Sequence, residues 1–333
     1  MGDLLVLRGS DVVAALGADM GGIVDAVAAG YLALHRGEAV MPPSPFLRFV
    51  EGKPERVIGL PAYLKGDAPI AGIKWIASFP GNVARGIDRA SAVIVINDLE
   101  TGRPDVLLEG AVISATRTAA SAALAARVLH PGPDDVGVIG CGPIAWQTVR
   151  YLSATGRLGG TLLTYDLDPE RAERLAGRAV DAGLVRAARG VSRPEALFDA
   201  CPITVIATSA IVPHLDPDLA PESTVLHLSL RDLSTRVIRG ATNVVDNVEH
   251  VLQANTSPHL ASLELGHRAF IHATLAELLL GEREARPAGR PVVFSPFGMG
   301  VLDLAVARPV IDRCRAADRG VRVPDFFASA WDG

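Results

Sequence analysis

Cysteine is scarce in this chain. Three residues, Cys141, Cys201 and Cys314, lie far apart and form no C-x-x-C pair. That excludes a disulfide framework and a zinc site built on cysteine pairs, and it fits a reducing cytoplasm. Long apolar runs are missing too. No stretch of about eighteen consecutive apolar residues occurs, so no membrane span is expected. The opening "MGDLLVLRGSD" lacks a basic segment followed by a long apolar one, which argues against a secretory signal. Positive charge is not in excess. The 32 basic and 37 acidic residues leave a net charge of −5 without a basic stripe, so nucleic acid is not an expected partner. Internal repeats and low-complexity tracts are absent as well.

What is present is apolar residue in quantity, 49% of 333 residues, enough for two domains with sizeable cores. The first third predicts a short helix over 11–16 and a longer one over 21–37. Strands then follow at 46–50, 56–64, 70–76 and 92–97, separated by the turns "EGKPE", "KGDAP" and "ETGRP". That spacing predicts an antiparallel sheet. The run "AVIVIN" is apolar throughout and predicts burial on both faces. An alanine-rich helix over 111–129 ends at the breaker "HPGPDD", which marks a domain boundary at 130. Strands and helices alternate from there, predicting a parallel, doubly wound sheet over 131–300. The segment 301–333 opens with a helical pattern that can cross back to the first domain, making the second an insertion.

The stretch "VGVIGCGPIAWQ" is the clearest chemical signal. Gly140-Cys141-Gly142-Pro143-Ile144-Ala145 reads G-x-G-x-x-A between a strand and a helix. Gly140 allows the tight turn, Gly142 lets backbone approach a pyrophosphate, and Ala145 permits close helix–strand packing. The helix N-terminus faces the phosphates. Asp166, about twenty residues on at the end of the second strand, would bond ribose hydroxyls and repel a 2′-phosphate, which favours NAD. Asp168 is its rival. Thr208 and Ser209 follow the fourth strand, at the edge where a dinucleotide lies, and compete with a helix-cap reading.

Several charged residues sit in unusual places. Lys74 lies within an apolar strand and precedes the turn Phe79-Pro80-Gly81-Asn82, which can wrap a ligand. A strand lysine is more often a solvated edge residue. Arg117 is a lone cation on a helix of small residues, and Arg48 alternates with apolar residues in a strand. Together the three suit a carboxylate, by bidentate bonds from arginine and a point charge from lysine. Arg231 and Asp232 follow the fifth strand.

The stretches "GIKW", "FPGN", "SATRTAASAALAA", "GCGPIA" and "FSPFGMGVLDLAVA" together resemble the ornithine cyclodeaminase/mu-crystallin family. The resemblance implies an α/β protein: a Rossmann domain inserted in an α+β domain (1–130 and 301–333) that binds substrate and dimerises. It thus implies a homodimer acting on a small amino-acid substrate. "KWIASFPGNVARGIDRASAVIVINDLETG" and "SLRDLSTR" are similar to one branch, the N-(2-amino-2-carboxyethyl)-L-glutamate dehydrogenases, which make 2,3-diaminopropionate for siderophores and peptide antibiotics. By position, Arg48, Lys74 and Arg117 match substrate-carboxylate binders and Asp232 matches the acid that handles protons and water. That role favours a raised pKa for Asp232, and Lys74 can pass a proton to the leaving amine. Asn82, Arg85, Arg89 and Arg231 are candidates for further substrate contacts. Gly59 stands where the cyclodeaminase branch carries an acid, and "SLRD" departs from that branch's glycine-rich stretch. Both count against ornithine cyclisation. Ornithine cyclodeaminase, ketimine reductase and amino-acid dehydrogenase remain alternatives on the same scaffold, as does a non-catalytic NAD(P)H-binding protein.

Overall fold

The computed structural model describes residues 3–17 and 19–327, so the reading of the last segment, 301–333, runs partly outside them. The chain divides into two compact units. One contains the described residues up to Arg117 and those from Met299 on, and the other runs from Thr118 to Gly298. The division falls inside the continuous helix Ala111–Leu129 rather than at "HPGPDD".

The first unit is built on a mixed sheet. Its strand order is Val321–Val323, Leu4–Leu7, Pro104–Glu109, Ala90–Asn97, Ile70–Ser78, Arg56–Leu64 and Ala39–Val40, with Phe46–Arg48 also paired to Arg56–Leu64. Pairing is antiparallel from Pro104–Glu109 onward through that order, while Leu4–Leu7 joins Pro104–Glu109 in parallel. The strands at 4–7 and 104–109 are short and carry no alternation long enough to announce them in the sequence. One face of the sheet is covered by the helix Gly300–Ala316, which touches Arg56–Leu64 and Ile70–Ser78 and packs on the helix Met20–His35. Gly30 permits that helix contact, since an added Cβ would lie 3.0 Å from Leu302.

The expected double-sided burial of "AVIVIN" is not what the fold shows. Ile94 and Ile96 are buried, but Val93 is 40% exposed, as is Trp75 at 44% on the neighbouring strand. The strand belongs to an antiparallel sheet with one covered face, so its apolar residues split between two environments. The same register puts Gly59 opposite Trp75 and Leu60 opposite Lys74. A Cβ at Gly59 would meet Pro45, Ile73 and Trp75. An acid there would stand on the Trp75 face, away from Lys74. Its absence therefore carries less weight against ornithine cyclisation than the sequence alone implies.

The second unit is a parallel sheet in the order Ala187–Gly190, Leu158–Tyr165, Asp134–Ile139, Ile203–Ile206, Thr224–His227, Val292–Ser295, Thr242–Val245, Ile271–Thr274. The first strand in sequence lies centrally and the chain winds outward to both sides, the Rossmann order. Val292–Ser295 is a late strand inserted beside Thr224–His227, and its short run "VVFS" gave no separate strand signal. Ile139, Leu197, Ile206, Val225, Leu233, Ile238 and Val293 form a continuous buried core. No single described helix is long and apolar enough to cross a membrane.

Gly140 turns the chain from strand to helix with φ +87°. A Cβ at that residue would sit 2.6 Å from the Ala207 carbonyl oxygen. Both the dihedral and the space demand glycine. Gly140→Ala is expected to lower unfolding free energy by about 1–3 kcal/mol, read from urea melts, with the strain as its cause.

Candidate functional site

In the first unit, Lys74 is not a solvated edge residue. It is 1% exposed, on the covered face of the sheet. Its ammonium lies 2.6 Å from Asp303 Oδ2 and donates to Ser114 Oγ at 3.1 Å. The Arg117 Nε–H donates to the other oxygen of the same carboxylate at 3.3 Å. Each element aims one member. Strand Ile70–Ser78 presents Lys74, helix Ala111–Leu129 presents Ser114 and Arg117, and the first turn of helix Gly300–Ala316 presents Asp303. The helix carrying Arg117 starts where it does because the Glu109 carboxylate accepts the Ala111 and Val112 N–H groups.

Burial pulls the Lys74 ammonium down from its ordinary value to about 8, partly offset by the Asp303 charge and reinforced by Arg117. Two cations and one carboxylate leave a buried excess of one positive charge. A dry, positive site with preset donors suits a carboxylate. Asp303 was not singled out in the sequence. An acid in a helix's first turn reads as a response to the helix dipole, and only its apolar neighbours in "GVLDLAVA" hinted at burial.

The other predicted cations lie in different settings. Arg48 is exposed, its guanidinium 5.7 Å from the Phe46 ring. Arg89 donates to Ser78 Oγ at 3.2 Å, and Asn82 Nδ2 donates to the Asp88 carbonyl at 3.3 Å. Arg85 is exposed at the end of the 3₁₀ turn Pro80–Arg85.

In the second unit, Asp232 is fully buried and closely surrounded. Thr208 Oγ1 donates to Oδ1, while Oδ2 accepts from Ser229 Oγ at 2.5 Å and lies 3.2 Å from His227 Nε2. His227 Nδ1 in turn lies 3.3 Å from Ser295 Oγ. The turn bearing the acid is strained. Leu230, buried, has φ +71°, and its carbonyl accepts from Ser257 N–H at 2.7 Å. Burial pushes the Asp232 carboxyl up, but His227, Ser229 and Thr208 outweigh it and hold the group below its ordinary value. The raised pKa expected from sequence is therefore corrected: the donors around the carboxylate decide the sign. His227 was the missed partner, a histidine in an apolar strand that reads as core. Arg231 turns its guanidinium onto the Ala254 carbonyl, with Nε 3.0 Å and Nη2 2.9 Å away.

The glycine loop of the same unit fits a dinucleotide. Gly142 caps the helix Pro143–Ala154, with Pro143 in its first turn, and Ala145 is fully buried against the sheet. An added Cβ at Gly142 would meet only Arg171 Nη2, at 3.7 Å, so backbone can be approached there. The N–H groups of Ile144 and Ala145 belong to the helix's first turn, which the ladder leaves free. Asp166 directly follows the second strand, Leu158–Tyr165, its Oδ2 accepting the Cys141 N–H at 2.8 Å. Asp168 instead caps the next helix by accepting the Glu170 N–H at 3.0 Å. The Thr208 hydroxyl is directed to Asp232, and Ser209 is exposed beside it. Among the described residues, no group of three or more His, Cys, Asp or Glu could hold a metal ion.

A Rossmann unit with a dinucleotide-type loop, in one chain with a unit carrying a buried Lys–Arg–Asp cluster, is the class of nucleotide-binding protein that fold and site define. The chain belongs to the ornithine cyclodeaminase/mu-crystallin family, whose model matches residues 6–318. It is 28% identical over 329 residues to the N-((2S)-2-amino-2-carboxyethyl)-L-glutamate dehydrogenase of Staphylococcus aureus, covering 92% of this chain and 94% of that one. It is 26% identical over 301 residues to an alanine dehydrogenase of Archaeoglobus fulgidus, covering 87% and 89%. Among solved structures, that of CmnK superposes with a TM-score of 0.89 at 28% identity, over 98% of this chain and 100% of that one.

Asp303→Ala would leave two buried cations uncompensated. It is expected to cost about 3–5 kcal/mol of unfolding free energy in urea titrations. A loss within error of zero would mean that the cluster is open to water.

Proposed function

We propose that the chain is an NAD-dependent oxidoreductase that oxidises the secondary amine of N-(2-amino-2-carboxyethyl)-L-glutamate and hydrolyses the product to 2,3-diaminopropionate and 2-oxoglutarate. The observation that carries this is the buried Lys74–Arg117–Asp303 cluster, whose net positive charge suits an amino-acid carboxylate. The near full-length similarity to the Staphylococcus aureus dehydrogenase supports the particular substrate, along with "SLRDLSTR". The NAD-binding domain, 131–300, is inserted between two parts of a substrate domain, and the product is destined for a siderophore or peptide antibiotic.

NAD, held at Gly140, Gly142, Pro143, Ile144 and Ala145 with Asp166 on the ribose, supplies when bound the acceptor for the hydride of the glutamyl α-carbon. The chain's own residues do the rest. Lys74 and Arg117 fix one substrate carboxylate and so orient the carbon that is oxidised. Arg48, Arg89 and Asn82 serve the others, while Arg231 and Thr208 hold the Asp232 turn. Oxidation leaves a C=N bond. Asp232, kept ionised by its donors, takes a proton from the water that attacks the carbon. Lys74, still protonated at neutral pH, gives a proton to the leaving amine. The balance is substrate, NAD⁺ and water to 2,3-diaminopropionate, 2-oxoglutarate, NADH and one proton. The exposed Trp75–Val93 face of the first sheet is the surface offered to a second copy.

Mixing protein, NAD and the synthetic substrate should give NADH with both products. NADH from L-alanine alone, or ammonia from L-ornithine, would replace this substrate by one of the rivals. Asp232→Asn should lose about 10²–10⁴-fold in kcat while titrating NADH fluorescence as the wild type does. Normal turnover in that variant would remove Asp232 from the chemistry. Since Lys74 acts in its protonated form, kcat/KM should hold below its pKa of about 8 and fall as pH rises through it.

A further inference from the structure

The buried acid Asp303 has no part in the chemistry above, yet it touches both groups that hold the substrate. Its carboxylate lies 2.6 Å from the Lys74 ammonium through Oδ2 and accepts the Arg117 Nε–H at 3.3 Å through Oδ1. The acid is fully buried, Lys74 nearly so, and the Arg117 side chain is only 11% exposed. Two cations this close and this dry repel each other unless an anion stands between them. Each is bound to a different oxygen, so the carboxylate sets their spacing as well as their charge.

We propose that Asp303 is a positioning residue that clamps Lys74 and Arg117 at a fixed spacing with one net positive charge, so that the pair accepts a single substrate carboxylate. Substrates with more carboxylates must then find other cations, and Arg48 and Arg89 are candidates in the same unit. The substrate part rests on the function proposed above. The clamp does not, because its geometry needs no ligand.

Lys74 can be watched directly. The chain has three lysines, Lys53, Lys65 and Lys74, and the first two are exposed. Protein labelled with ¹³C at the lysine ε-carbon gives three signals, and the buried one titrates apart from the others. In the full-length wild type its midpoint should lie near pH 8. In Asp303→Asn the midpoint should fall by about one pH unit or more, because a compensating charge is gone. In Asp303→Glu it should return toward the wild type. A folded Asp303→Asn protein whose Lys74 midpoint is unchanged would overturn the clamp and leave Asp303 a packing residue. Should the asparagine variant not fold, Arg117→Gln gives the complementary reading. With Arg117 no longer competing for the carboxylate, the Lys74 midpoint must rise, and an unchanged or lower value would overturn the proposal. Adding L-alanine, which has one carboxylate, to the NAD-loaded wild type should raise the Lys74 midpoint, and the same addition to Asp303→Asn should not. An equal rise in both would show that Asp303 does not govern the receptor. If the clamp titrates as described while the synthetic glutamate derivative yields no NADH, the substrate assignment fails and the clamp stands.

Discussion

The first unit is organised around one requirement: charge taken out of water has to be matched. Lys74 projects from the covered face of a sheet and is 1% exposed. An unpaired ammonium there would be expelled or neutralised. Asp303 makes its burial tolerable, and Arg117 shares the same acid. Three elements far apart in sequence, strand Ile70–Ser78, helix Ala111–Leu129 and helix Gly300–Ala316, must therefore converge. The return of the chain after the inserted unit is what delivers the acid. A chain cut before Gly300 would keep both cations and lose their counter-charge.

That convergence explains what could be read from the sequence and what could not. The bounds of the strand Arg56–Leu64 and of the helices Ala111–Leu129 and Pro143–Ala154 are plain in the pattern, since turns or breakers flank long periodic runs. The glycine loop is legible for a similar reason: its chemistry lies within six adjacent residues. Lys74 and Arg117 stand out because a charge in an apolar or alanine-rich segment is anomalous. Asp303 does not, since helix first turns attract acids whether buried or exposed. The second cation's partner is 186 residues away in sequence, and nothing local encodes the pairing. Burial of "AVIVIN" failed for the opposite reason. Composition gives hydrophobicity, but not which face of a sheet will be covered.

The two buried acids show how environment assigns roles. Asp303 faces two formal positive charges, whereas Asp232 is met by two hydroxyls and an imidazole. A carboxylate locked between two cations serves as their counter-ion. The other is ringed by two hydroxyls and the His227 ring, with Ser295 behind that ring. The strained turn at Leu230 belongs to the same arrangement. A positive φ on a buried leucine persists only where its surroundings over-determine it, and here the Ser257 N–H and the Arg231–Ala254 bonds do so on either side. The strain keeps the carboxylate turned inward to its donors. Sequence position marks an acid as a candidate; the charge type of its neighbours decides how it is held.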